Sequence, residues 1–432
     1  MKKNYNFSIL FLGLSLFGSS YVNAQLHILG EQVIPSDVNN NGVVAATIVN
    51  AVNLRWTEEG GLQEIGTIGV DLLSGHALVS SDDNKIISVM TNPENQMNEI
   101  SVYDNTTQTW THLGGLVGNS DASKSSAWGV SEDGTTIVGL GWINGGTGHA
   151  VKWTSENGVE DLGSTVTGSS SRANAINDDK TVIVGWQDAS DGFRQGAIWK
   201  NGEQTLIFDT DNNPAGEAAA VSADGKTVIG YAGLYPYVWS EAEGYTSITH
   251  ENSGPFFRGG NTGITADGNT VIGYFRSWPG GPYMGEGFVW SKENGRVNFD
   301  DYAENLGIDL QGYTIALPMA ISPDGTKIVG VARSSTQAVF GFYLDLSDKL
   351  NVQDQVSKNS IKIYPNPVSD VLNISTSAKT INKLEIVNIL GQKIKVIENP
   401  TNKLDVSDLT KGNYILSITI DGKTTSQKFI KK

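Results

Sequence analysis

The 432-residue sequence has a formal net charge of −16, contains 50 glycines, and has no cysteine. The lack of cysteine excludes disulfide bonds, thiolate catalysis and cysteine-ligated zinc. The negative charge is concentrated in residues 25–360, whose net charge is −23, and a body this acidic is repelled by nucleic acid and by anionic lipid.

The first 24 residues have the pattern of a secretory targeting segment. Lys2 and Lys3 provide the positive start, residues 7–17 are apolar, and small residues precede a cleavage point at Gln25. The apolar stretch is too short for a stable membrane span. We therefore predict that residues 1–24 form a signal peptide and that the mature form has no membrane span.

A short phrase, Ser or Thr followed two residues later by Asp-Gly, recurs along the next 300 residues or so. Complete and degenerate copies begin at Asn39, Ser80, Ser131, Asn177, Ser222, Thr265 and Ser322. Their spacing of 41 to 57 residues is typical of propellers and other repeat arrays. Because Asp bonds its own backbone and Gly accepts positive φ, each phrase indicates a tight turn.

Residues 127–163 show the plan of one repeat. Four short apolar strands are separated by tight or glycine-rich turns, which predicts an antiparallel four-stranded meander. The last repeat ends near Leu344 without a fourth strand, whereas Leu26–Gly30 resembles a fourth strand and precedes the first repeat. We therefore predict that residues 25–346 form a seven-bladed β-propeller closed by the N-terminal strand.

These repeats resemble the extracellular repeats named after a His-Ala-Phe tripeptide, the HAF family. His149-Ala150-Val151 nearly matches that tripeptide, while Gly196-Ala197-Ile198 and Gly287-Phe288-Val289 depart from it. The resemblance covers about residues 40–345 and implies a fold and an extracellular location. It implies no reaction.

The composition changes after Leu346. Residues 347–360 are polar and indicate a linker, and alternating strands in 361–432 predict a small β-sandwich. The second segment resembles the C-terminal sorting domain of type IX secretion cargo. The residues that carry this resemblance are Tyr364, Pro365, Asn366, Pro367, Gly391, Gln392, Leu409, Gly412, Asn413, Tyr414, Lys428 and Phe429.

The sorting-domain resemblance implies a route and partners. The signal peptide would take the chain across the inner membrane, and the type IX secretion machinery would take it through the outer membrane. A sortase-like peptidase would then remove the tail, and the body would be released or attached to surface lipopolysaccharide. The expected location is outside a Gram-negative cell or on its outer surface. A structural sandwich used for binding is the alternative.

Catalytic patterns are scarce in this sequence. The five histidines are scattered without metal-ligand spacing, and neither a nucleophile elbow nor a phosphate loop is present. These absences favour a protein without enzymatic activity. The alternative is a polysaccharide hydrolase or lyase, which needs two carboxylates about 5–10 Å apart. Candidate acids are Asp188, Asp191, Asp209, Asp211 and Glu286.

Calcium is the one cofactor for which the sequence offers ligands. Asp209, Asp211 and Asn213 place oxygen ligands at alternate positions. Pro214 and Ala220 stand where an EF-hand loop has Gly and Glu, so the pattern is incomplete. We expect no other cofactor.

Long aromatic connections are expected on one face of the propeller, opposite the Asp-Gly turns. Loops on a rigid scaffold commonly carry recognition, and aromatic rings stack on sugars or anchor peptides. We expect Trp186, Tyr231 and Tyr274 to pack between blades. The residues predicted to bind a glycan or surface protein are Trp142, Tyr235, Tyr237, Phe256, Phe257, Arg258, Trp278 and Tyr283. A purely structural surface or matrix protein is a further alternative.

Overall fold

The structure is a computed structural model that describes residues 26–48, 52–68, 75–116, 124–144, 146–277, 281–350, 362–376, 380–388, 392–420 and 423–432. The predicted signal peptide, most of the predicted linker and Trp278 lie outside these residues. The chain divides into two compact units, Met1–Asp348 and Lys349–Lys432.

The first unit is built from four-stranded antiparallel sheets, of which its described residues form seven. Sheet 1 contains β2 (Val33–Val38), β3 (Val44–Ile48), β4 (Val52–Thr57) and β5 (Gly61–Thr67). Sheet 2 contains β6 (Leu78–Val79), β7 (Lys85–Thr91), β8 (Asn98–Asp104) and β9 (Thr109–His112). Sheet 3 contains β10 (Ser125–Val130), β11 (Thr136–Asn144), β12 (Thr147–Thr154) and β13 (Gly158–Gly163).

The next three sheets keep the same order of consecutive strands. Sheet 4 contains β14 (Ser171–Ile176), β15 (Val182–Asp188), β16 (Arg194–Lys200) and β17 (Glu203–Leu206). Sheet 5 contains β18 (Ala218–Val221), β19 (Thr227–Ala232), β20 (Tyr235–Ser240) and β21 (Gly244–Ser247). Sheet 6 contains β22 (Phe257–Ile264), β23 (Thr270–Ser277), β24 (Glu286–Ser291) and β25 (Gly295–Asn298), with a short 3₁₀ helix at Pro282–Met284.

Sheet 7 joins the two ends of the first unit. It contains β26 (Thr314–Ile321), β27 (Lys327–Arg333), β28 (Val339–Asp345) and the N-terminal strand β1 (Leu26–Glu31). β1 pairs antiparallel with β28, with Leu26 opposite Leu344, as the sequence predicted. A short helix, α1 (Phe299–Asn305), precedes this sheet and is capped by the Asn298 side chain.

The recurring Asp-Gly phrase forms the turn between the first two strands of a sheet. In sheet 3 the Ser131 hydroxyl donates to Asp133 Oδ1 (2.7 Å) and accepts from the Thr136 amide (3.0 Å). Gly134 has a φ of +65°. The same hydroxyl-to-carboxylate bond recurs at Ser222–Asp224, at 2.8 Å. The spacing within the phrase therefore follows from the hydrogen bonds of one turn.

These turns also link each sheet to the next, and the last sheet to the first. From sheet 1 to sheet 4 the contacts are Asn39 Nδ2 to the Ser80 carbonyl (2.9 Å), the Ser81 amide to the Glu132 carbonyl (3.1 Å), and Lys180 to the Asp133 carboxylate. From sheet 4 to sheet 7 they are the amides of Asp178, Ala223 and Ala266 to the carbonyls of Ala223 (3.4 Å), Ala266 (3.0 Å) and Pro323 (2.8 Å), respectively. The Asp324 amide donates to Asn40 Oδ1 (3.0 Å) and so links sheet 7 to sheet 1.

The hydrophobic core lies between neighbouring sheets. One cluster joins Leu78 and Ile87 of sheet 2 to Ile137 and Val151 of sheet 3. Another joins sheet 1 to sheet 7, where the rings of Trp56 and Tyr343 lie 4.6 Å apart. A lone sheet of this size cannot bury both faces, so stacking against two neighbours is what stabilises it.

The second unit consists of two further antiparallel sheets. One contains β29 (Lys362–Tyr364), β30 (Val371–Ser375) and β33 (Lys403–Asp405), and the other contains β31 (Lys383–Asn388), β32 (Lys393–Glu398), β34 (Gly412–Ile420) and β35 (Lys423–Lys431). Both sheets contribute to one buried apolar cluster that includes Leu372, Leu416 and Phe429. The prediction of an all-β chain with four-stranded antiparallel sheets is confirmed. Within the described residues, no helix is long and apolar enough to cross a membrane.

Candidate binding site in the central cavity

The first strands of all seven sheets converge on one cavity of about 520 Å³, hereafter the central cavity. A smaller cavity of about 190 Å³ is lined by residues at or beside the opposite ends of the same strands, next to the Asp-Gly turns. The residues that line only the central cavity, such as Trp128, Arg172 and Glu217, lie farther from the Asp-Gly turns than those that line both cavities. A volume of this size is typical of small-molecule sites.

β-Bulges place the side chains that line the central cavity. In sheet 4 the pairing register shifts between Ala173 and Ala175, which leaves Asn174 without a partner opposite it. The equivalent bulged residues also line the cavity, and they are Ser36, Trp128, Ala219, Thr262 and Met319. Bulges re-aim side chains and are common beside functional sites.

The repeated glycine of the second strand accommodates the close approach beside each bulge. A Cβ at Gly185 would lie 2.0 Å from the Arg172 carbonyl oxygen, and one at Gly230 would lie 2.2 Å from that of Glu217. Any larger residue would push the first strand away. In both strands this glycine follows two β-branched residues, as Ile183-Val184-Gly185 and Val228-Ile229-Gly230, and its lack of a side chain lets the cavity-lining strand lie close.

Glu217 is the centre of a buried polar network on one side of the cavity. Its carboxylate forms ion pairs with Arg172 and Arg194. It also accepts hydrogen bonds from Tyr231 Oη (2.7 Å) and Asn174 Nδ2 (2.9 Å). The side chain of Glu217 is only 6% exposed, so this network ties sheets 4 and 5 together in a region of reduced solvent screening.

Aromatic rings and guanidinium groups alternate beside this network. The Arg172 guanidinium lies 3.5 Å from the ring centroid of Trp128 and 5.2 Å from that of Trp186. Arg194 lies 4.1 Å from the Trp186 centroid, on the same ring. We call Trp128, Arg172, Trp186 and Arg194 the cation–π stack. Each such contact contributes about 0.5–2 kcal/mol, more where water is excluded.

The two arginines differ in exposure. The Arg172 side chain is 11% exposed, whereas that of Arg194 is 44% exposed. Arg172 also donates to Asn174 Oδ1 (2.7 Å), so it is held on several sides. Arg194 is therefore the more exposed arginine of the stack, whereas Arg172 is the one that lines the central cavity.

Electrostatics fix the protonation states around the cavity. Burial by itself raises the pKa of Glu217, but Arg172, Arg194 and its hydrogen-bond donors outweigh burial and hold that pKa below its ordinary value. Burial, and then the charge of Arg172, lower the pKa of His76 to about 4, so His76 is neutral at neutral pH. Burial and Glu217 raise the pKa of Tyr231 above its ordinary value. At neutral pH the Glu217 carboxylate is therefore ionised and the Tyr231 hydroxyl keeps its proton.

The smaller cavity has a different character, because carboxylates surround it. Burial raises the pKa of Asp37 to about 6. Burial, and then neighbouring carboxylates, raise the pKa values of Glu132 and Asp178. Asp37 also accepts from the Val79 amide (2.9 Å), which links sheets 1 and 2. The charged residues that line the smaller cavity are thus all carboxylates, whereas the central cavity is also lined by the guanidinium of Arg172.

The predicted aromatic face is only partly assembled as expected. Phe256 is 74% exposed, while Trp142, Tyr235 and Tyr283 are half-buried. Tyr237 was predicted to be available to a ligand, but it has no exposed surface and stacks on Tyr245 in the core. That expectation is corrected, because Tyr237 packs in the apolar cluster between sheets 4 and 5.

The Phe257 region is held together by a histidine. The His250 ring accepts from the Asn252 amide at Nδ1 (3.0 Å), so its Nε2 donates to Glu286 Oε1 (2.6 Å). The Phe257 ring lies 4.9 Å from that of His250. Arg258 is half-buried and donates to the Pro255 carbonyl (3.0 Å). Glu286, a candidate acid, is therefore engaged in holding a connection to its sheet.

The candidate calcium ligands form a turn. Asp209 Oδ1 accepts from the amides of Asp211 (2.9 Å) and Asn213 (2.8 Å). Across the residues that the structure covers, no three His, Asp or Glu side chains converge as metal ligands. Calcium at Asp209, Asp211 and Asn213 stays a prediction.

The residues that carry the sorting-domain resemblance meet in the second unit. Asn366, between the exposed Pro365 and Pro367, donates to the Lys428 carbonyl (3.0 Å) and accepts from the Ile430 amide (2.9 Å). Tyr414 stacks on the buried Phe429 at 5.5 Å. Gly412 begins the strand that carries Tyr414, and the Lys428 side chain is exposed. The motif thus joins the first and last segments of this unit.

Comparisons with known proteins agree with this reading of the tail. Residues 362–432 match the family model of the secretion system C-terminal sorting domain. A stretch of 71 residues is 39% identical to β-agarase D of Zobellia galactanivorans and covers 16% of this chain. That stretch covers 14% of the relative's length, so the chain spans a small part of that protein.

Solved propellers are structurally similar at low sequence identity. The propeller domain of the trilobed protease from Pyrococcus furiosus is 14% identical with a TM-score of 0.46, covering 74% of this chain and 94% of that one. TolB from Acinetobacter baumannii is 16% identical with a TM-score of 0.39, covering 63% of this chain and 64% of that one. At these scores the fold rests on the strand pairings described above.

The class of protein follows from the two units together. The body has a β-propeller-like fold of four-stranded antiparallel sheets, and the tail is a secretion system C-terminal sorting domain. The chain is therefore cargo of type IX secretion, exported to the cell surface or the extracellular space.

Sequence reasoning missed most of the cavity residues. We expected Tyr231 and Tyr274 to pack between blades, but both line the central cavity. Trp186 is buried, as expected, yet it lies between two arginines. One signal was present in the sequence, because Arg172 and Asn174 are large polar residues at alternate positions of a first strand whose other residues are small or apolar.

Proposed function

We propose that this protein is an exported β-propeller that binds a glycan in its central cavity without transforming it. The observation that carries the proposal is the cation–π stack and its buried Glu217 network beside a cavity of about 520 Å³. Aromatic faces stack on sugar rings, and fixed arginine, tyrosine and carboxylate groups are suited to sugar hydroxyls. A surface-protein ligand is the alternative partner.

We infer that the body is a closed ring of seven blades, built from HAF-type repeats. The support is the pairing of β1 with β28 and the contact between Asp324 and Asn40, which brings sheet 7 to sheet 1. Deleting residues 26–31 should lower Tm by more than about 10 °C or prevent folding, because the last sheet loses its fourth strand. The control is the chain that begins at Gln25. An unchanged Tm in the deletion variant would refute closure.

The Glu217 network supports binding rather than proton transfer. A general acid needs a raised pKa, and its carboxyl must be free to reach the substrate. Glu217 has a lowered pKa and is occupied by four donor side chains. A polysaccharide hydrolase or lyase would also need a second carboxylate at the correct distance. Catalysis is therefore the second candidate function.

One pair of assays separates the candidates. The exported protein is screened on a glycan array, and the bound glycans are then tested for release of reducing ends and of unsaturated products. Binding without release supports the proposal, and release identifies an enzyme. If no glycan binds, the proposal fails and a protein ligand or a structural role remains. Asn174→Ala is a suitable site variant, because it removes a cavity side chain and retains both arginines.

A further inference from the structure

Arg194, the more exposed arginine of the cation–π stack, is held in position by two contacts. Trp186 covers one face of the Arg194 guanidinium, and Glu217 holds its Nη1. Arg194 begins β16, directly after the connection between the second and third strands of sheet 4. A guanidinium has five N–H donors in a planar fork, and one ion pair uses only part of them. The remaining donors of Arg194 lie beside the cavity-lining Glu217, and 44% of the Arg194 side chain is exposed.

The positive charge of Arg194 is only partly balanced by nearby carboxylates. Arg172 and Arg194 share the single carboxylate of Glu217, and His76 is neutral at neutral pH. Asp188 pairs with Arg194 in the strand ladder, yet Glu217 is the carboxylate within ion-pair distance of Arg194 among the described residues. Arg194 is therefore only partly neutralised, within a body that is strongly acidic overall.

We propose that Arg194 selects a saccharide that carries an anionic group, either a carboxylate or a sulfate. This inference rests on the proposed function and names its ligand class. Arginine recognises both anions through paired N–H donors, and the bound charge would complete the neutralisation of the two arginines. The aromatic rings that line the central cavity, those of Trp128, Tyr231 and Tyr274, would hold the sugar ring itself.

Two substitutions should act in opposite directions. Arg194→Gln should weaken binding of an anionic saccharide about tenfold or more, because a hydrogen bond to a charged group is lost. Asp188→Asn should strengthen binding several-fold, because it removes a competing negative charge. Lys200→Gln makes the same change in charge as Arg194→Gln at the other end of β16, so it is the matched control and should have no effect.

Isothermal titration calorimetry on the exported protein tests the proposal with defined probes. Trigalacturonate and its methyl ester test the carboxylate, and a sulfated galactan tetrasaccharide and its desulfated form test the sulfate. We expect one anionic probe to bind more tightly than its neutral counterpart, with an affinity that falls as salt rises in the wild type and less so in Arg194→Gln.

The possible failures are distinct. Equal binding of charged and neutral probes, unchanged in Arg194→Gln, overturns the charge selection and leaves glycan binding intact. Binding of an oligoglutamate peptide in place of every saccharide, with the same dependence on Arg194, overturns the saccharide assignment. If no saccharide binds at all, the proposed function itself fails.

Discussion

At the scale of single residues, Glu217 is the side chain on which the cavity wall depends. It holds two arginines, and removing its charge leaves the guanidinium of Arg172 in a site that is largely closed to water. Breaking a buried ion pair from one side typically costs about 3–5 kcal/mol. The same carboxylate links two sheets, so the loss should appear in the stability of the whole body.

We predict that Glu217→Gln lowers the free energy of unfolding by about 3 kcal/mol or more, measured by denaturant titration. Tyr231→Phe removes one hydrogen bond from the same carboxylate and should cost only about 1 kcal/mol. Glu203→Gln makes the same charge change at an exposed strand position and should stay within about 0.5 kcal/mol of the parent. Equal effects of Glu217→Gln and Glu203→Gln would contradict the role given to the network.

Asp37 predicts a pH dependence of stability. Because its folded pKa is about 6 and its ordinary value is 3.8, the folded state keeps a proton that the unfolded state releases. Its contribution is therefore fully present below about pH 4 and is lost as pH rises to about 6. Since the side chain keeps part of its surface open to the cavities, we expect about 1–2 kcal/mol, below the full value implied by the shift.

The measurement compares the parent chain with Asp37→Asn at pH 4.5 and pH 7. The difference between the two proteins in unfolding free energy should change with pH in favour of the variant as pH rises, because Asn does not ionise. A difference that is the same at both pH values would show that Asp37 titrates as it does in the unfolded chain.

At the scale of elements, the Asp-Gly turns both reverse the chain and contact the preceding sheet. A Cβ at Gly134 would lie 2.9 Å from the Ser80 Cβ, whereas a Cβ at Gly158 would meet nothing within 4 Å. Both glycines have positive φ, of +65° and +70° respectively, and both lie in turns of sheet 3. The pair thus separates backbone strain from crowding between sheets.

We predict that Gly158→Ala costs about 1–2 kcal/mol, the ordinary penalty of a left-handed alanine. Gly134→Ala should cost about 1 kcal/mol or more beyond that, because sheets 2 and 3 must also move apart. Thermal and denaturant unfolding of the two variants provide the comparison. Equal losses would show that the turn is not a contact between sheets.

These elements also show what could be predicted from the sequence. The turn at Asp133-Gly134 and the strand at Ile137–Gly139 depend on neighbouring residues, so a single chain segment reveals them. Arg172 and Glu217 are 45 positions apart and meet only because two sheets stack. The prediction that Tyr237 is available to a ligand was wrong for a related reason. Whether an aromatic side chain faces a loop or the core depends on the strand register and on the adjacent sheet.

At the scale of the whole molecule, the sorting domain predicts a change in covalent structure. If a sortase-like peptidase removes the tail, the exported protein should end within residues 347–360, close to the boundary between the two compact units. Intact-mass spectrometry of the protein exported by the parent strain, compared with the protein from a strain that lacks the peptidase, tests this prediction. An exported species that retains Phe429 and the rest of the tail would show that the sorting domain stays attached.

The pairing of β1 with β28 has a consequence for the order in which the sheets of the body form. β1 is the first strand of the described residues, and it can pair only after β28, the last strand of the body, has been synthesised, because Leu26 lies opposite Leu344. Contacts between such distant parts of a chain form slowly. Completion of the last sheet is therefore expected to be a late step in the folding of the body. In a circular permutant that joins β28 to β1 by a short loop, the two strands are neighbours in sequence, and the last sheet should form faster.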